Sequence, residues 1–595
     1  MRGDAGTVTG LVAARCAARP RAVAVEQPDG ATWTYADLSR RAGEIAGVLR
    51  PLYASPRPAV AVDLPNSLDF CAAVLAVLGS GGTLLALDRT QPQARTAAML
   101  STVRPEVVVT DRPDGAAATW AATADGSPAT VDLARPDTAR RPVAPDGWET
   151  EPDDPGAPAY VIFTSGTTGV PKATVNTHAG LLNHLVFMQD VCPLPEGSRV
   201  LMKSARTFDA WLLEFFWAFT QGVTLVLADE DRATDARYLA ATLARKSIHG
   251  FVCVPSLLQR VFSVLERTAE ATDLRVVVSA GEPLKAGLAE RILTSTSARL
   301  FNFYGPAEAA IDVAYHHVTG PPVTDPIPIG RAIPGNELTI RDSSGADVTA
   351  SGARGELVVA GVHVGLGYEG DASATAAKFG ADGGGARTYA TGDLAYLGPD
   401  GNFYIGGRMD TQVKINGVRI ETGEIEAVLL RHETVADCTV QATRAGDVPV
   451  LVAFVKAHGD APPASEYINY LRGLLPPVMV PPMYVFVTEF KTLPSGKKDT
   501  SALVFPRGLP TVTATEFEAP DGPAEEELAK IWESVLGVAP IGAVDEFSLI
   551  GGDSLKMIDI LVKISESVYP DVFSLGITRL STVRDLARKI QESAR

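Results

Sequence analysis

Short apolar runs alternate with helix-like patterns along roughly the first 400 residues of the chain. The clearest runs are rich in Val, Leu and Ile and lie at residues 59–62, 107–110, 159–163, 225–227 and 276–279. Runs of this length between amphipathic stretches are typical of buried parallel strands that are connected by helices. The pattern therefore predicts an α/β fold in which helices cover large sheets.

Two segments of this region need a separate interpretation. Residues 70–87 carry no charge and approach the length of a membrane span, but glycines at 79, 81 and 82 interrupt them. We interpret them as a core helix, a turn and a buried strand. Residues 112–158 are rich in Ala, Pro, Asp and Gly, which predicts a variable surface connection.

The pattern changes in the last third of the chain. Residues 410–505 predict a small α+β lobe, with strands near 413–415, 438–440 and 450–455 and a helix from 424 to about 431. Prolines mark residues 506–522 as a linker. From residue 523 the pattern is purely helical, with helices at 524–536, 554–566 and 582–593. The predicted domains are therefore 1–409, 410–505 and 523–595.

Composition excludes several classes of partner and site. The chain has 595 residues and a net charge of −17, which argues against a nucleic acid or an anionic membrane as partner. Its five cysteines are scattered without a CxxC pair, which favours a reducing cytoplasm. The eight histidines have no metal-ligand spacing, and the first residues lack the apolar core of a secretion signal.

One loop has the composition of a phosphate-binding site. In Phe163-Thr-Ser-Gly-Thr-Thr-Gly-Val-Pro-Lys172, six of the seven residues after the strand-ending Phe163 are Gly, Ser or Thr. Such residues offer backbone N–H groups and hydroxyls without bulk, and the lysine adds a positive charge. The order differs from that of a Walker loop, so a P-loop kinase or ATPase is disfavoured.

Further motifs follow in a fixed order along the chain. They are Asn302-Phe-Tyr-Gly-Pro-Ala-Glu308, Gly355-Glu-Leu357, Tyr389-Ala-Thr-Gly-Asp393, Gly407-Arg-Met-Asp410, Gln412-Val-Lys-Ile415 and Pro494-Ser-Gly-Lys497. Together with the loop they resemble the adenylation domains of nonribosomal peptide synthetases, within the adenylate-forming (ANL) family that includes acyl-CoA ligases and luciferases. The resemblance extends from about residue 32 to residue 503, and it implies a large multi-sheet core and a small mobile lobe.

The resemblance implies that a substrate carboxylate attacks the α-phosphate of ATP, giving an acyl-adenylate and pyrophosphate. A carboxylate is ionised at neutral pH, so this attack requires no general base. Glu308 resembles the Mg²⁺ ligand of the family. The residues that match the family's ATP-binding positions are Thr164, Ser165, Gly166, Thr167, Thr168, Gly169, Lys172, Tyr304, Asp393 and Arg408.

Three residues match positions that act in catalysis in the family. Lys497 would contact both the substrate carboxylate and the α-phosphate; it is preferred over the adjacent Lys498 because it follows Ser-Gly as the family's lysine does. Asp410 resembles the hinge of a rotating small lobe, and Lys414 would face the site after that rotation. The chain departs from the family at Ala307, where a threonine is usual, and at Ile405, where an aromatic is common.

A second motif lies near the end of the chain. Asp545-Glu-Phe-Ser-Leu-Ile-Gly-Gly-Asp-Ser554-Leu resembles the 4′-phosphopantetheine attachment site of peptidyl carrier proteins, with Ser554 as the attachment residue of a four-helix bundle. A phosphopantetheinyl transferase is then an implied partner. The chain shows no condensation, reductase or thioesterase unit, so we expect tailoring or condensation enzymes to act in trans in antibiotic or other secondary metabolism. Whether an MbtH-like helper takes part stays open.

The resemblance also places a substrate pocket. Its positions fall on Asp209, Ala210, Leu213, Cys253, Val278, Ala280, Phe303, Ile311, Asp312 and Lys497. Asp209 would bind an α-ammonium group, which favours an α-amino acid. Asp312 adds a second carboxylate to an apolar wall, which is costly unless it is paired. A basic side chain is the first hypothesis, an aromatic N–H or O–H donor the second, and an apolar side chain with Asp312 in water the third.

Two other functions use the same fold. An acyl- or aryl-CoA ligase shares the core but has no reason for a fused carrier. A non-catalytic docking scaffold gains support from Ala307 but not from the presence of Glu308, Asp393 and Lys497. The site residues, and not the fold, separate these functions.

Overall fold

The computed structural model describes most of the chain. The described residues are 7–135, 154–166, 171–322, 324–410, 412–415, 418–445, 448–459, 461–491, 498, 503, 518–536, 539–545, 547, 550, 554–567, 569 and 582–593. The chain divides into two units, of which the first comprises Met1–Ser165 and Pro171–Arg419 and the second Gly166–Val170 and Ile420–Arg595. The predicted domain limit at 409 stays a prediction.

The first unit has helices and strands in alternation. Its helices are α1 Val8–Ala18, α2 Tyr35–Leu49, α3 Leu68–Gly79, α4 Gln93–Val103, α5 Ala116–Thr123, α6 His178–Val191, α7 Ala210–Gln221, α8 Ala236–Arg245, α9 Pro255–Thr268, α10 Ala286–Ser295 and α11 Ala372–Lys378. Its first twelve strands are β1 Val23–Glu26, β2 Thr32–Thr34, β3 Ala59–Asp63, β4 Thr83–Ala86, β5 Val107–Thr110, β6 Ala129–Asp132, β7 Pro158–Thr164, β8 Lys172–Thr177, β9 Arg199–Met202, β10 Thr224–Leu227, β11 Gly250–Cys253 and β12 Val276–Ser279. The next ten are β13 Arg299–Tyr304, β14 Ala314–Val318, β15 Arg331–Ala332, β16 Asn336–Arg341, β17 Arg354–Gly361, β18 Gly367–Tyr368, β19 Phe379–Ala381, β20 Arg387–Leu397, β21 Phe403–Arg408 and β22 Val413–Ile415.

Strands β1 to β21 build three sheets. A nine-stranded sheet has the order β15-β14-β13-β12-β11-β9-β10-β1-β2, and a seven-stranded sheet has the order β18-β8-β7-β4-β3-β5-β6. The third sheet has five strands in the order β16-β17-β20-β19, with β21 paired to β20. Most neighbours in the centre of the two larger sheets are parallel, as β11, β12 and β13 are. The predicted α/β class, with several sheets in the core, is confirmed.

The apolar runs of the sequence form the centres of these sheets. Strands β3, β5, β7, β10 and β12 contain the five predicted runs. The uncharged segment 70–87 is confirmed as helix α3, a turn and strand β4, and the residues of α3 from Phe70 to Gly79 are all buried. Among the described residues, no helix has both the length and the apolarity to cross a membrane.

The interpretation of residues 112–158 as a surface connection was wrong for their first part. Residues Ala116–Thr123 form α5, and Ala129–Asp132 form β6, which pairs in parallel with β5. The helix is short and built mostly from alanine, and β6 is a four-residue edge strand, so neither has a strong periodic pattern. Residues 136–153 lie outside the described part of the chain.

The second unit contains the small lobe and the carrier region. After β23 Val418–Ile420, the lobe has α12 Thr422–Leu429, α13 Ala464–Arg472 and a three-stranded sheet of β24 Val435–Ala445, β25 Val448–Ala457 and β26 Met483–Phe486. The predicted helix near 424–431 and the strands at 438–440 and 450–455 are confirmed in type and place.

The carrier region consists of helices along its described residues. These are α14 Gly522–Leu536, α15 Ser554–Ser567 and α16 Val583–Ser593. Their apolar faces form one core, in which the Trp532 ring lies 5.1 Å from the Phe547 ring. The three predicted helices are confirmed, and the carrier helix bundle belongs to the fold class that the sequence indicated. The predicted linker 506–522 lies almost entirely outside the described residues.

Candidate active site

The predicted phosphate loop connects two paired strands. Thr164, the last residue of β7, is opposite Lys172, the first residue of β8. The Ser165 hydroxyl donates to the Arg419 carbonyl at 3.0 Å, and the Lys172 ammonium lies 5.1 Å from the centre of the Tyr368 ring. Gly166 is the last described residue before 167–170. The loop is therefore fixed at both ends by strand pairing.

A cluster of tyrosine, carboxylates and arginine lies at the end of β13 and across β20 and β21. The Tyr304 hydroxyl donates to the Asp393 carboxylate, and Asp393 on β20 pairs in register with Arg408 on β21. The Arg408 guanidinium donates to Asp393 at 2.7 Å and to both oxygens of Asp410 at 2.7 Å. The two carboxylates raise the pKa of Arg408 above its usual value against the effect of burial. These four predicted residues form one continuous network.

Lys414 on β22 lies beside this network. Its Nζ is 5.9 Å from the centre of the Tyr304 ring. Burial lowers the pKa of the Lys414 ammonium, and the charge of Asp393 opposes that change. The position places a second cation near the predicted nucleotide site.

Glu308, the predicted Mg²⁺ ligand, is fully buried. Its carboxylate accepts from the Arg419 guanidinium at 2.9 Å and from the Tyr368 hydroxyl at 2.9 Å. Burial alone would raise the pKa of Glu308, but Arg419 and the hydrogen bond from Tyr368 outweigh it and hold the pKa below its usual value. The side chain is therefore an ionised, anionic oxygen donor, which suits a hard divalent cation.

The predicted amino-acid pocket lies along the carboxyl ends of neighbouring strands. Cys253 ends β11, Val278 and Ala280 lie at the end of β12, and Phe303 lies near the end of β13. The carboxyl ends of parallel strands share one edge of a sheet, where α/β proteins commonly bind ligands. Leu213 projects from α7, and the apolar members of the set other than Ala210 and Ala280 are buried.

Asp209 is the residue before α7, but its side chain makes no capping hydrogen bond. Its Oδ2 atom is shielded from solvent and has no hydrogen-bond partner among the residues that the structure describes. Burial, and then the negative charge of Glu308, raises the pKa of Asp209 to about 7. This carboxyl group therefore lacks a cation in a place where one would stabilise it.

Asp312 has the same property. It is 3% exposed, and its Oδ2 has no hydrogen-bond partner within the described ranges. Burial and the charge of Asp209 raise the pKa of Asp312 well above its usual value. The two residues before it, Ala310 and Ile311, have φ values of 38° and 74°. Residues other than glycine rarely adopt this backbone conformation. Such backbone strain is concentrated at functional sites.

Two buried histidines near Asp312 had no place in the predicted site. His363 Nδ1 donates to the Asp312 carbonyl at 2.7 Å, and the Asn183 amide donates to His363 Nε2 at 2.9 Å. The second is His184 on α6, whose Nε2 lies 3.7 Å from Asp312 Oδ2. The sequence offered no signal for either, since neither belongs to a recognised motif and a histidine among apolar residues is usually a core residue.

Several predicted residues fall outside what the structure describes. Lys497, Thr167, Thr168 and Gly169 are not among the described residues. Ser554 is the first residue of α15. Ala307 and Ile405 are partly buried apolar residues that pack against the cores of the first unit.

Comparison with protein families assigns the chain. Residues 12–369 match the AMP-binding enzyme family, which is more than half of the chain. The chain belongs to the AMP-binding enzymes. Residues 424–497 match the C-terminal domain of AMP-binding enzymes, and residues 526–590 match the phosphopantetheine attachment site. This AMP-binding enzyme thus combines both parts of the AMP-binding fold with a phosphopantetheine attachment site on one chain.

Its relatives include nonribosomal peptide synthetases. Tyrocidine synthase 3 of Brevibacillus parabrevis is 35% identical over 584 residues, which are 97% of this chain and 9% of that protein. Phosphinothricin tripeptide synthetase PhsB of Streptomyces viridochromogenes is 36% identical over 568 residues, 93% of this chain and 46% of that protein. The AMP-binding enzyme described here spans less than half the length of either.

Solved structures give the same order of domains. Holo-PA1221, a nonribosomal peptide synthetase protein containing adenylation and peptidyl carrier domains, matches with a TM-score of 0.79 and 26% identity over 98% of this chain and 96% of its own. The adenylation domain AlmE of Vibrio cholerae, solved with glycyl-adenosine-5′-phosphate, has a TM-score of 0.71 at 22% identity over 82% of this chain and 96% of its own. The second likeness shows the fold alone.

Proposed function

We propose that the chain activates an amino acid with ATP and loads it as a thioester onto its own carrier domain. The observation that carries this proposal is Asp209, whose Oδ2 atom is shielded from solvent and has no hydrogen-bond partner among the described residues, near the ionised Glu308. An α-ammonium group would supply the missing cation. A fused phosphopantetheine site, at residues 526–590, then gives the activated acid an acceptor on the same polypeptide.

In the first half-reaction, a carboxylate oxygen of the amino acid forms a bond to the α-phosphorus of ATP. The bond from that phosphorus to the bridging oxygen breaks, and pyrophosphate leaves with the electron pair. No proton transfer is required, so positioning and neutralisation of charge lower the barrier. Lys497 is proposed to neutralise both reacting anions, and Lys414 to take a later part after rotation about Asp410.

The nucleotide is proposed to lie between the loop and the β20–β21 network. Residues 164–169 and Lys172 would bind its phosphates through N–H groups, hydroxyls and one charge. Asp393, oriented by Arg408 and Tyr304, has the carboxylate that paired ribose hydroxyls require. Glu308 would hold Mg²⁺, which when bound neutralises phosphate charge.

In the second half-reaction, Ser554 would hold the 4′-phosphopantetheine arm, and its thiol would supply the acceptor. A C–S bond would replace the bond from the acyl carbon to the phosphate oxygen, AMP would leave with that electron pair, and the thiol proton would pass to solvent. Ser554 begins helix α15, within the matched attachment site, and is the residue that a phosphopantetheinyl transferase would modify. All five cysteines of the chain are free and buried, so the protein itself offers no exposed thiol for this transfer. Free thiols also agree with a reducing cytoplasm as the site of action.

The substrate side chain is proposed to be basic. Asp312 is buried without a partner for Oδ2 in the described structure, within a largely apolar set of pocket residues. An ionised carboxylate in such a place is stabilised most by a cation that also donates hydrogen bonds. Amino or guanidino side chains, such as those of ornithine and arginine, meet both conditions.

Amino-acid-dependent exchange of labelled pyrophosphate into ATP tests these proposals. We expect exchange with one or a few amino acids and a highest rate for a basic one. Rates highest for Val or Leu, and unchanged in Asp312→Ala, would contradict the basic side chain. Release of acyl-CoA from free CoA would instead support a CoA ligase, and no exchange with any acid would support a docking scaffold.

A further inference from the structure

Two buried histidines lie side by side, and their hydrogen bonding differs. The rings of His184 and His363 are 5.8 Å apart. His363 uses both nitrogens, because Nδ1 donates to the Asp312 carbonyl and Nε2 accepts from the Asn183 amide. Neither nitrogen of His184 has a partner in hydrogen-bond geometry among the described residues. His363 is therefore a satisfied structural residue, and His184 is not.

The surroundings of His184 point toward the substrate pocket. Its side chain is fully buried, and its ring meets the Phe303 ring edge-on at 6.3 Å. Its Nε2 is 3.7 Å from Asp312 Oδ2, which also lacks a partner in the part of the chain that is described. Phe303 and Asp312 both belong to the predicted pocket set. Two unpartnered buried polar groups thus lie next to each other at one end of that set.

Burial keeps the imidazole neutral. It lowers the pKa of His184 well below its usual value; the neighbouring His363 adds to this, and the backbone of Asp312 opposes it. A neutral imidazole has one N–H donor and one acceptor nitrogen. Its acceptor nitrogen therefore needs a donor that the described residues do not supply.

We propose that His184 is a specificity-determining residue that, together with Asp312, binds the end of a basic substrate side chain. This inference rests on the proposed amino-acid activation and adds a residue outside the predicted pocket set. The acceptor nitrogen of His184 and Oδ2 of Asp312 each take one N–H from the same amino or guanidino group.

The spacing of the two acceptors fits such a group. Charge-assisted N–H···O bonds are about 2.8 Å long, so a single nitrogen can reach two acceptors that are 3.7 Å apart. An ammonium or guanidinium group has at least three N–H donors, whereas an indole N–H or a phenol has one. An aliphatic side chain would leave both acceptors unsatisfied. The pair therefore favours a basic side chain over the aromatic and apolar alternatives.

Substitution of His184 in the full chain tests the inference. His184→Leu keeps the approximate volume and removes both nitrogens, whereas His184→Gln keeps an acceptor. Pyrophosphate exchange would be measured for ornithine, arginine, lysine, tyrosine, tryptophan, leucine and valine, with KM for ATP and a thermal melt for each variant. His317→Leu is the matched control, because His317 stacks on Phe301 of the same sheet and lies outside the pocket set.

We expect wild-type exchange to be fastest with a basic amino acid. In His184→Leu, KM for that amino acid should rise at least tenfold and its advantage over leucine should fall by the same factor. KM for ATP should stay within twofold, and His184→Gln should recover most of the preference. His317→Leu should keep the wild-type order of substrates.

Three outcomes would overturn the inference. An unchanged substrate profile in folded His184→Leu would mean that His184 and Asp312 merely satisfy each other. A wild-type preference for tyrosine or tryptophan would exclude the basic side chain. If His184→Leu does not fold, His184→Met takes its place as a variant of similar volume without either nitrogen, and an unchanged profile in it would count against the role equally. Absence of wild-type exchange with every amino acid would refute the proposed function itself, which separates the two failures.

Discussion

The groups predicted to face the nucleotide are paired with one another, whereas those predicted to face the amino acid are not. Glu308 is bound by Arg419 and Tyr368, and Asp393 by Arg408 and Tyr304. On the amino-acid side, oxygens of Asp209 and Asp312 are buried without partners in the described ranges. The pKa of Glu308 is accordingly lowered, and the pKa values of the two aspartates are raised.

The two sides of the site therefore differ in whether their charged groups have partners before a ligand binds. Paired charges are already oriented before the ligand arrives, so nucleotide binding exchanges one set of partners for another. Unpaired buried carboxyl groups are unfavourable in the free protein, and only a ligand with matching donors removes that cost. The amino-acid side is thus the more selective of the two, because an imperfect ligand leaves polar groups unsatisfied.

The largest effect is expected from Lys497, which is proposed to contact both the amino-acid carboxylate and the α-phosphate. Lys497→Ala should reduce amino-acid-dependent exchange about 1000-fold, since the repulsion between carboxylate and α-phosphate is no longer neutralised. Lys498→Ala is the matched control. Its Nζ donates to the Cys438 carbonyl at 2.7 Å and pairs with Asp437 at 2.5 Å, so its loss should leave the rate within threefold, a small effect for a partly exposed pair. A larger fall in exchange rate for Lys498→Ala than for Lys497→Ala would contradict the choice of Lys497 as the catalytic lysine.

Asp209→Ala should lower kcat/KM for every amino acid about 100-fold, the size expected when one partner of a buried charged pair is removed. KM for ATP should change much less, because the nucleotide-side network acts on Asp209 through the charge of Glu308 and not through a hydrogen bond between described side chains. Exchange kinetics with several amino acids measure both constants. A fall in kcat/KM for one amino acid only would contradict the role of Asp209 in binding the α-ammonium group. An equally large rise in KM for ATP would contradict the separation of the two sides.

The pH dependence should differ between the two substrates. The pKa of Asp209 is raised to about 7, so its proton is retained below that pH and the charge that attracts an α-ammonium is lost. We expect kcat/KM for the amino acid to fall about tenfold per pH unit below 7. Glu308 has a lowered pKa and stays ionised, so KM for ATP should be flat from about pH 6 to 8. A kcat/KM for the amino acid that does not change below pH 7 would count against this account. So would the same fall of kcat/KM with pH in Asp209→Asn.

The smallest effect is expected from Tyr368→Phe. It removes the hydroxyl that donates to Glu308 at 2.9 Å, a hydrogen bond to a charged group. The Mg²⁺ concentration needed for half-maximal exchange should rise about tenfold, as expected for about 1.5 kcal/mol, the lower end of the range for such a bond. KM for the amino acid should not move. A shift in the amino-acid constant alone would mean that Tyr368 belongs to the other side.

Local motifs made much of this site predictable. Thr164, Glu308, Asp393, Arg408 and Asp209 each match a short motif or position of adenylation domains, so the resemblance to that family located them. Alternating apolar runs likewise located the central strands, because a buried parallel strand is a continuous apolar segment.

Other features depend on contacts distant in sequence. Arg419 reaches Glu308 across 111 positions, and His184 meets Asp312 only once α6 packs against the sheet edge. The strained turn at Ala310 and Ile311 contains no glycine, so nothing in the sequence indicates its positive φ values. Helix α5 and strand β6 escaped prediction because tertiary packing, and not periodicity, stabilises such short elements.

Intact-mass measurement of the phosphopantetheinylated chain tests the central claim most directly. The holo protein would be incubated with ATP, Mg²⁺ and an equimolar mixture of amino acids, beside Ser554→Ala. We predict one added mass, that of a basic amino acid, released by thioester cleavage and absent in Ser554→Ala. No added mass, or a mixture of leucine and valine, would contradict a chain that selects its cargo through Asp312 and His184.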